Sequence, residues 1–273
     1  MISDADFTTI AREVKARSGA VLTPSMSGAI EIRLQPLARR EGFTTIGDYI
    51  AAARSRIDGA MWSAITDHLA QSETRFFRDR GVMALLKNEI LPQMQQHRGG
   101  ERVRIWSAAC STGQEPYSIA MSIDELNDSG ANIGADLFAT DLSERLIDKA
   151  QSGLYTHFEV QRGLPVRKLI AHFERAHDLW RISDRMRAAI RFEQFNLMKH
   201  PGTLGQFDIV MLAHVLPSFD SEMQRGVIGR IGDILSPTGV IVLGEGETAP
   251  DGCENVHCAG GIIRKRQAAR AAA

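Results

Sequence analysis

The feature that most constrains this chain is the run Arg104-Ile105-Trp106-Ser107-Ala108-Ala109-Cys110-Ser111-Thr112-Gly113-Gln114-Glu115-Pro116-Tyr117-Ser118. An apolar strand enters a loop of small residues, and a helix leaves it. Small side chains let backbone N–H groups approach a ligand closely. Pro116 suits the first helical turn, where its missing N–H is not needed. The exposed N–H groups and the dipole at the helix start favour a negatively charged ligand group. A second apolar run over 136–140 leads into Asp141. In nucleotide-binding α/β folds, an acid at the end of the second strand accepts hydrogen bonds from ribose hydroxyls.

The rest of the chain fits around this unit. Strands are expected at 103–109, 136–140, 190–195, 207–212 and 240–243, and helices at 116–126, 144–150 and 223–235. Such alternation implies a mostly parallel sheet covered on both faces. Trp180-Arg181-Ile182, followed by a charged turn, suggests a small β-hairpin excursion. Residues 4–70 carry helical stripes and no strand pattern: Phe7, Ile10 and Val14; Ile30, Leu34 and Leu37; Ile46, Tyr49 and Ile50; Met61, Trp62, Ile65 and Leu69. Val82, Leu85, Leu86, Ile90 and Leu91 predict a linking helix that ends near Pro92.

The loop also selects among ligands. A dinucleotide needs G-x-G-x-x-G, whereas this loop has one glycine and carries Glu115. A carboxylate there repels a pyrophosphate but pairs with the ammonium or sulfonium end of S-adenosylmethionine. No G-x-x-x-x-G-K-[ST] occurs, which excludes a P-loop. The formal net charge of -1 gives no signature of nucleic-acid binding. No apolar run is long enough to span a bilayer, and the acidic start lacks the order of a signal peptide. The three cysteines, Cys110, Cys253 and Cys258, are too few for a disulfide framework and suit a reducing compartment, the cytoplasm. Cys253, His257 and Cys258 lack a second ligand pair, so no metal is expected.

Several ordered motifs resemble those of the chemotaxis receptor methyltransferases, the CheR family. Ser72-Glu73-Thr74-Arg75-Phe76-Phe77-Arg78-Asp79 is similar to "N-x-T-x-F-F-R". The 106–118 run is similar to "W-S-A-x-C-S-T-G-E-E-P-Y-S". Ala139-Thr140-Asp141-Leu142-Ser143 with Ala150-Gln151-Ser152-Gly153-Leu154-Tyr155 resembles "A-T-D-I-S…A-x-x-G-x-Y". Phe195-Asn196-Leu197 and Gly244-Glu245-Gly246-Glu247 match further signatures, Gly246 replacing a serine. The resemblance runs from about residue 7 to residue 266. It implies a class I S-adenosylmethionine-dependent methyltransferase, a Rossmann-like α/β fold with a small all-α N-terminal domain (1–72) and a catalytic domain (73–273) carrying a β-subdomain at about 160–190. It implies O-methylation of glutamates on the cytoplasmic helical domain of chemoreceptors, with S-adenosylhomocysteine as product.

The resemblance also supplies roles. Thr74 and Arg78 would contact the donor, Arg78 at its carboxylate through a bidentate pair. Glu115 would hold the amino group, Asp141 the ribose, and Asn196 and Leu197 would border the adenine. A surface role for Arg78 and a turn-forming role for Asn196 stand beside these. Arg33, Arg39, Arg40, Arg54 and Arg56 would face acidic receptor helices or solvent. The family's "C-R-N-V-L-I-Y-F-D" is replaced at 212–220 by Leu212-Ala213-His214-Val215-Leu216-Pro217-Ser218-Phe219-Asp220. His214 is therefore a candidate replacement contact to the donor or acceptor. The same changes motivate an alternative, a catalytically degenerate donor-binding scaffold. A glutamate acceptor is already ionised at neutral pH, so no general base or catalytic triad is needed.

Overall fold

The computed structural model describes residues 2–57, 59–70, 73–251, 256–259 and 261–265. Ser72 and Cys253, both named from the sequence, lie outside the described residues. The chain divides into two compact units, Met1–Ser72 with Pro217–Met223, and Glu73–Leu216 with Gln224–Ala273.

The first unit holds α1 (Asp4–Ser18), α2 (Ser27–Arg40), α3 (Ile46–Ser55) and α4 (Ala60–Leu69). Polar caps set the starts: the Ser3 and Thr45 hydroxyls accept the Asp6 and Asp48 N–H groups, each at 3.1 Å. Ile10, Val14, Leu34, Tyr49, Ile50 and Ile65 are fully buried, which is the stripe spacing turned inward. Pro217–Met223 joins this unit. The Val21 N–H donates to the Ser218 carbonyl at 2.8 Å, and Lys15 pairs with Asp220 at 2.7 Å. A local pattern could not anticipate that a stretch some two hundred residues away in sequence would pair here.

The second unit opens with α5 (Arg80–Leu85), a π-helical turn (Leu86–Ile90) and α6 (Leu91–His97). The helix therefore continues past Pro92, where the sequence predicts a stop. In a regular helix the proline ring would collide with the carbonyl four residues back. The wide turn relieves this: the Leu91 N–H reaches the Leu86 carbonyl, and Pro92 then falls in the first turn of α6, where an N–H is dispensable.

There follow β1 (Val103–Ala108), α7 (Gln114–Asp128), β2 (Ala135–Asp141), α8 (Glu144–Ser152), β3 (Leu154–Thr156), α9 (His157–Gln161), α10 (Val166–His172), β4 (Phe173–Ala176), β5 (Leu179–Ile182), α11 (Asp184–Ala188), β6 (Ile190–Gln194), β7 (Phe207–Met211), α12 (Ser221–Asp233), β8 (Leu235–Val242), β9 (Val256–Ala259) and β10 (Ile262–Lys265). The main sheet has the order β6-β2-β1-β7-β8-β10-β9. Its first five strands are parallel, and β10 runs antiparallel between β8 and β9. From β1 the chain crosses outward on one side to β2, while β7 lies on the other. Their carboxyl ends thus form the switch point where α/β ligand sites arise.

The strands at 103–108 and 207–211 are buried almost throughout, as expected of a sheet covered on both faces. Trp106 is fully buried and donates from Nε1 to Thr140 Oγ1 at 3.0 Å, so its polar atom is satisfied. A second sheet, β3-β5-β4, spans Leu154 to Ile182. It begins earlier than the Trp180 hairpin suggests, because β3 returns to pair with β5. Gly153 makes the turn at φ 61°, and a Cβ there would lie 2.6 Å from Ile182 Cγ2.

Candidate functional site

The loop between β1 and α7 is wound tightly. Ala109 and Ser111 take left-handed φ values of 59° and 52°, and Gly113 has φ 92°. A Cβ on Gly113 would lie 2.9 Å from Ala150 Cβ, so this position requires glycine on both counts. The Tyr155 hydroxyl donates to the Thr112 carbonyl, and the Tyr117 hydroxyl to the Ala150 carbonyl, each at 2.8 Å.

Asp141 closes the far side. Its Oδ2 accepts the Ser111 N–H at 2.8 Å and its Oδ1 accepts the Ser143 N–H at 3.1 Å. The acid that the sequence assigns to a ribose is therefore also the brace of the loop. Asp141 is nearly buried, at 8% exposure.

Glu115 lies in the first turn of α7, and Ser107 Oγ donates to its Oε1 at 2.7 Å. Burial pushes its pKa up to about 7 from the ordinary 4.5. The Ser107 bond and the charge of Arg78 pull it down, while Asp79 and Glu247 push it further up. Three carboxylates thus converge with Arg78 as the opposing cation. This set suits a ligand bearing an ammonium and a sulfonium and repels a polyphosphate. S-adenosylmethionine fits that donor set.

Thr74 and Arg78 sit half-buried on the segment before α5. Phe76 is fully buried edge-on to Tyr155 and Phe173, with ring centroids at 5.0 and 5.6 Å. The Phe77 N–H donates to Ser118 Oγ at 3.0 Å, with Phe77 itself at φ 48°. Gly163 packs so closely on this segment that a Cβ there would lie 2.1 Å from the Phe76 carbonyl oxygen. Arg78 donates to the Glu73 carbonyl.

Asn196 forms a turn, its Oδ1 accepting the Met198 N–H at 2.9 Å. The Leu197 carbonyl accepts from Arg230 at 3.1 Å. His214 also takes a left-handed φ, 60°. Its N–H donates to Glu247 Oε2 at 2.7 Å, and its ring Nε2 lies 2.6 Å from Asp79 Oδ2. The imidazole is thereby turned toward an internal carboxylate. Among the described residues six non-glycines have positive φ, and four of them, Phe77, Ala109, Ser111 and His214, belong to these segments. Backbone strain of this kind persists only where surrounding structure imposes it, and it concentrates at functional sites. Two site members, Asp79 and Glu247, carry no role in the sequence reading. Their contacts join residues far apart in sequence, although both stand in runs that resemble family motifs.

Comparison with known proteins gives the family. Residues 72–261 match the family described as CheR methyltransferase, SAM binding domain. Chemotaxis protein methyltransferase Cher2 of Pseudomonas putida is 32% identical over 265 residues, covering 94% of this chain and 96% of its own length. Chemotaxis protein methyltransferase 1 of Pseudomonas aeruginosa is 32% identical over 268 residues, 96% of this chain and 97% of its own. The chemotaxis protein methyltransferase of Escherichia coli is 32% identical over 252 residues, 90% of this chain and 85% of its own. The chain therefore belongs to the CheR methyltransferase family, a class I α/β fold whose methyl donor is S-adenosylmethionine.

Proposed function

We propose that this protein methylates glutamate side chains on the cytoplasmic helical domain of chemoreceptors, and so tunes adaptation. What supports this reading is the match of residues 72–261 to the CheR methyltransferase family and the likeness to proteins named chemotaxis protein methyltransferases. An amine or alcohol acceptor needs a base to remove its proton. A glutamate carboxylate at neutral pH needs none. S-adenosylmethionine supplies an activated methyl group on its sulfonium. The protein's part is to hold the donor through Arg78, Glu115 and Asp141 and to admit the acceptor carboxylate in line.

The test is transfer of radiolabelled methyl groups to a receptor cytoplasmic fragment, read as base-labile methanol. Label is expected with the wild type and lost in Arg78→Ala and Asp141→Ala. Absence of base-labile label on every receptor of the source organism would sink the reading.

A second reading, donor binding without turnover, draws on the 213–218 stretch. Ala213 and Ser218 stand where the family pattern has arginine and tyrosine, and the His214 ring faces inward. On that reading wild-type protein binds S-adenosylhomocysteine but transfers nothing. Ala213→Arg, His214→Asn and Ser218→Tyr together then create activity.

A further inference from the structure

We infer that His214 is a positioning residue for the methyl donor, acting through Asp79 on the segment that presents Thr74 and Arg78. This rests on the reading of those two residues as donor contacts.

Asp79 stands at the N-cap of α5, where an aspartate ordinarily accepts an N–H of its own helix. It makes no such bond. Its Oδ2 instead takes the His214 ring at 2.6 Å and the Glu245 N–H at 3.1 Å. A carboxylate can only accept here, so the ring proton sits on Nε2. The capping bond is given up for a tie to the loops that follow β7 and β8.

The other end of the tie is just as specific. His214 adopts left-handed backbone at φ 60°, which aims the ring at Asp79. Glu247 Oε2 holds that conformation by accepting the N–H groups of His214 and Gly244, each at 2.7 Å. A Cβ at Gly244 would lie 2.7 Å from both His214 Nε2 and Glu247 Oε2, so only glycine leaves the ring its place. Arg78 thus lies between two fixed points. Phe76 and Phe77 are anchored in the core and on Ser118, and Asp79 is anchored on His214. A histidine at 214 therefore does work that neither the asparagine of the family pattern, with its shorter reach, nor Ala213 can do from its position.

Calorimetric titration with S-adenosylhomocysteine tests this without any acceptor. His214→Leu should weaken binding about tenfold, and Asp79→Asn by a similar factor. His214→Gln, whose amide can still donate to Asp79, should stay within about threefold of wild type. In the Arg78→Ala background, His214→Leu should cost less than it does alone, because part of its effect runs through Arg78. Thermal melts accompany each variant. Wild-type affinity in folded His214→Leu, or a loss that adds in full to that of Arg78→Ala, overturns the inference. Should His214→Leu fail to fold, Asp79→Asn and His214→Gln decide it by the same criteria. Intact binding with no receptor methylation would refute the proposed acceptor and leave this inference standing.

Discussion

Ser107 on β1 donates from Oγ to Glu115 Oε1 on α7 across 2.7 Å, joining the strand to the first turn of the helix it feeds. That bond supports a carboxyl group whose pKa burial has raised to about 7. The sign of the consequence follows. The folded value lies above the ordinary 4.5, so the folded chain keeps this proton where the unfolded chain has lost it. The resulting stabilisation is complete below pH 4.5 and disappears as the pH rises through 7. On the proposed role of Glu115, donor binding has the opposite trend, because an ammonium pairs with the ionised carboxylate. Affinity for S-adenosylhomocysteine should fall about tenfold between pH 8 and pH 6, as expected for one group titrating near neutrality. Glu115→Gln should bind weakly and flatten the profile; a profile unchanged by that substitution would show that another group titrates.

Asp141 braces the loop and is the proposed ribose contact. Asp141→Ala removes acceptors for the Ser111 and Ser143 N–H groups. The expected stability loss is about 1–3 kcal/mol, the cost of stranding buried donors. Donor affinity should fall by at least about tenfold as charge-assisted bonds are lost. Urea denaturation and calorimetry would separate the two effects.

Gly113→Ala should damage the site more than its size suggests. The residue sits at φ 92°, and the added methyl would meet Ala150 Cβ at 2.9 Å. A destabilisation of about 1–3 kcal/mol is expected from strained backbone and overpacking, together with loss of donor binding. Unchanged stability would mean that the loop relaxes freely.

Gly163 and Gly81 make a contrasting pair. Gly163→Ala would drive a Cβ to 2.1 Å from the Phe76 carbonyl, displacing the segment that holds Arg78. Gly81 lies in α5 with nothing within 4 Å of an added Cβ. Gly81→Ala should stabilise by about 0.5–1 kcal/mol through helix propensity, and Gly163→Ala should lower the melting temperature by several degrees.

The parts of the site readable from sequence are those written in contiguous residues. The small residues at 108–113, the proline after them and the acid at 141 each answer a local backbone requirement. Asn196 was readable both as a turn former and as a ligand contact, and its side chain does form the turn. What stayed hidden is long-range. His214 reads as an isolated substitution until the fold brings Asp79 to its ring and Glu247 to its backbone. Pro92 reads as a stop because the rule assumes a regular helix on its N-terminal side. The strand β3, three residues long, carries too little pattern to declare itself in sequence.

The wide turn at Leu86–Ile90 has a consequence for how this helix tolerates changes of length. It absorbs one residue beyond what regular winding would use, while Leu86, Ile90, Leu91 and Met94 all remain buried. One residue corresponds to about 100° of helical rotation. Removing a residue inside 86–90, with Pro92 replaced so that regular winding is allowed, should close the turn and leave both flanking faces in phase. The same deletion at 80–85 or 93–97 would swing one half of the helix away from its partners. Insertions and deletions in this element are thereby channelled to a single turn.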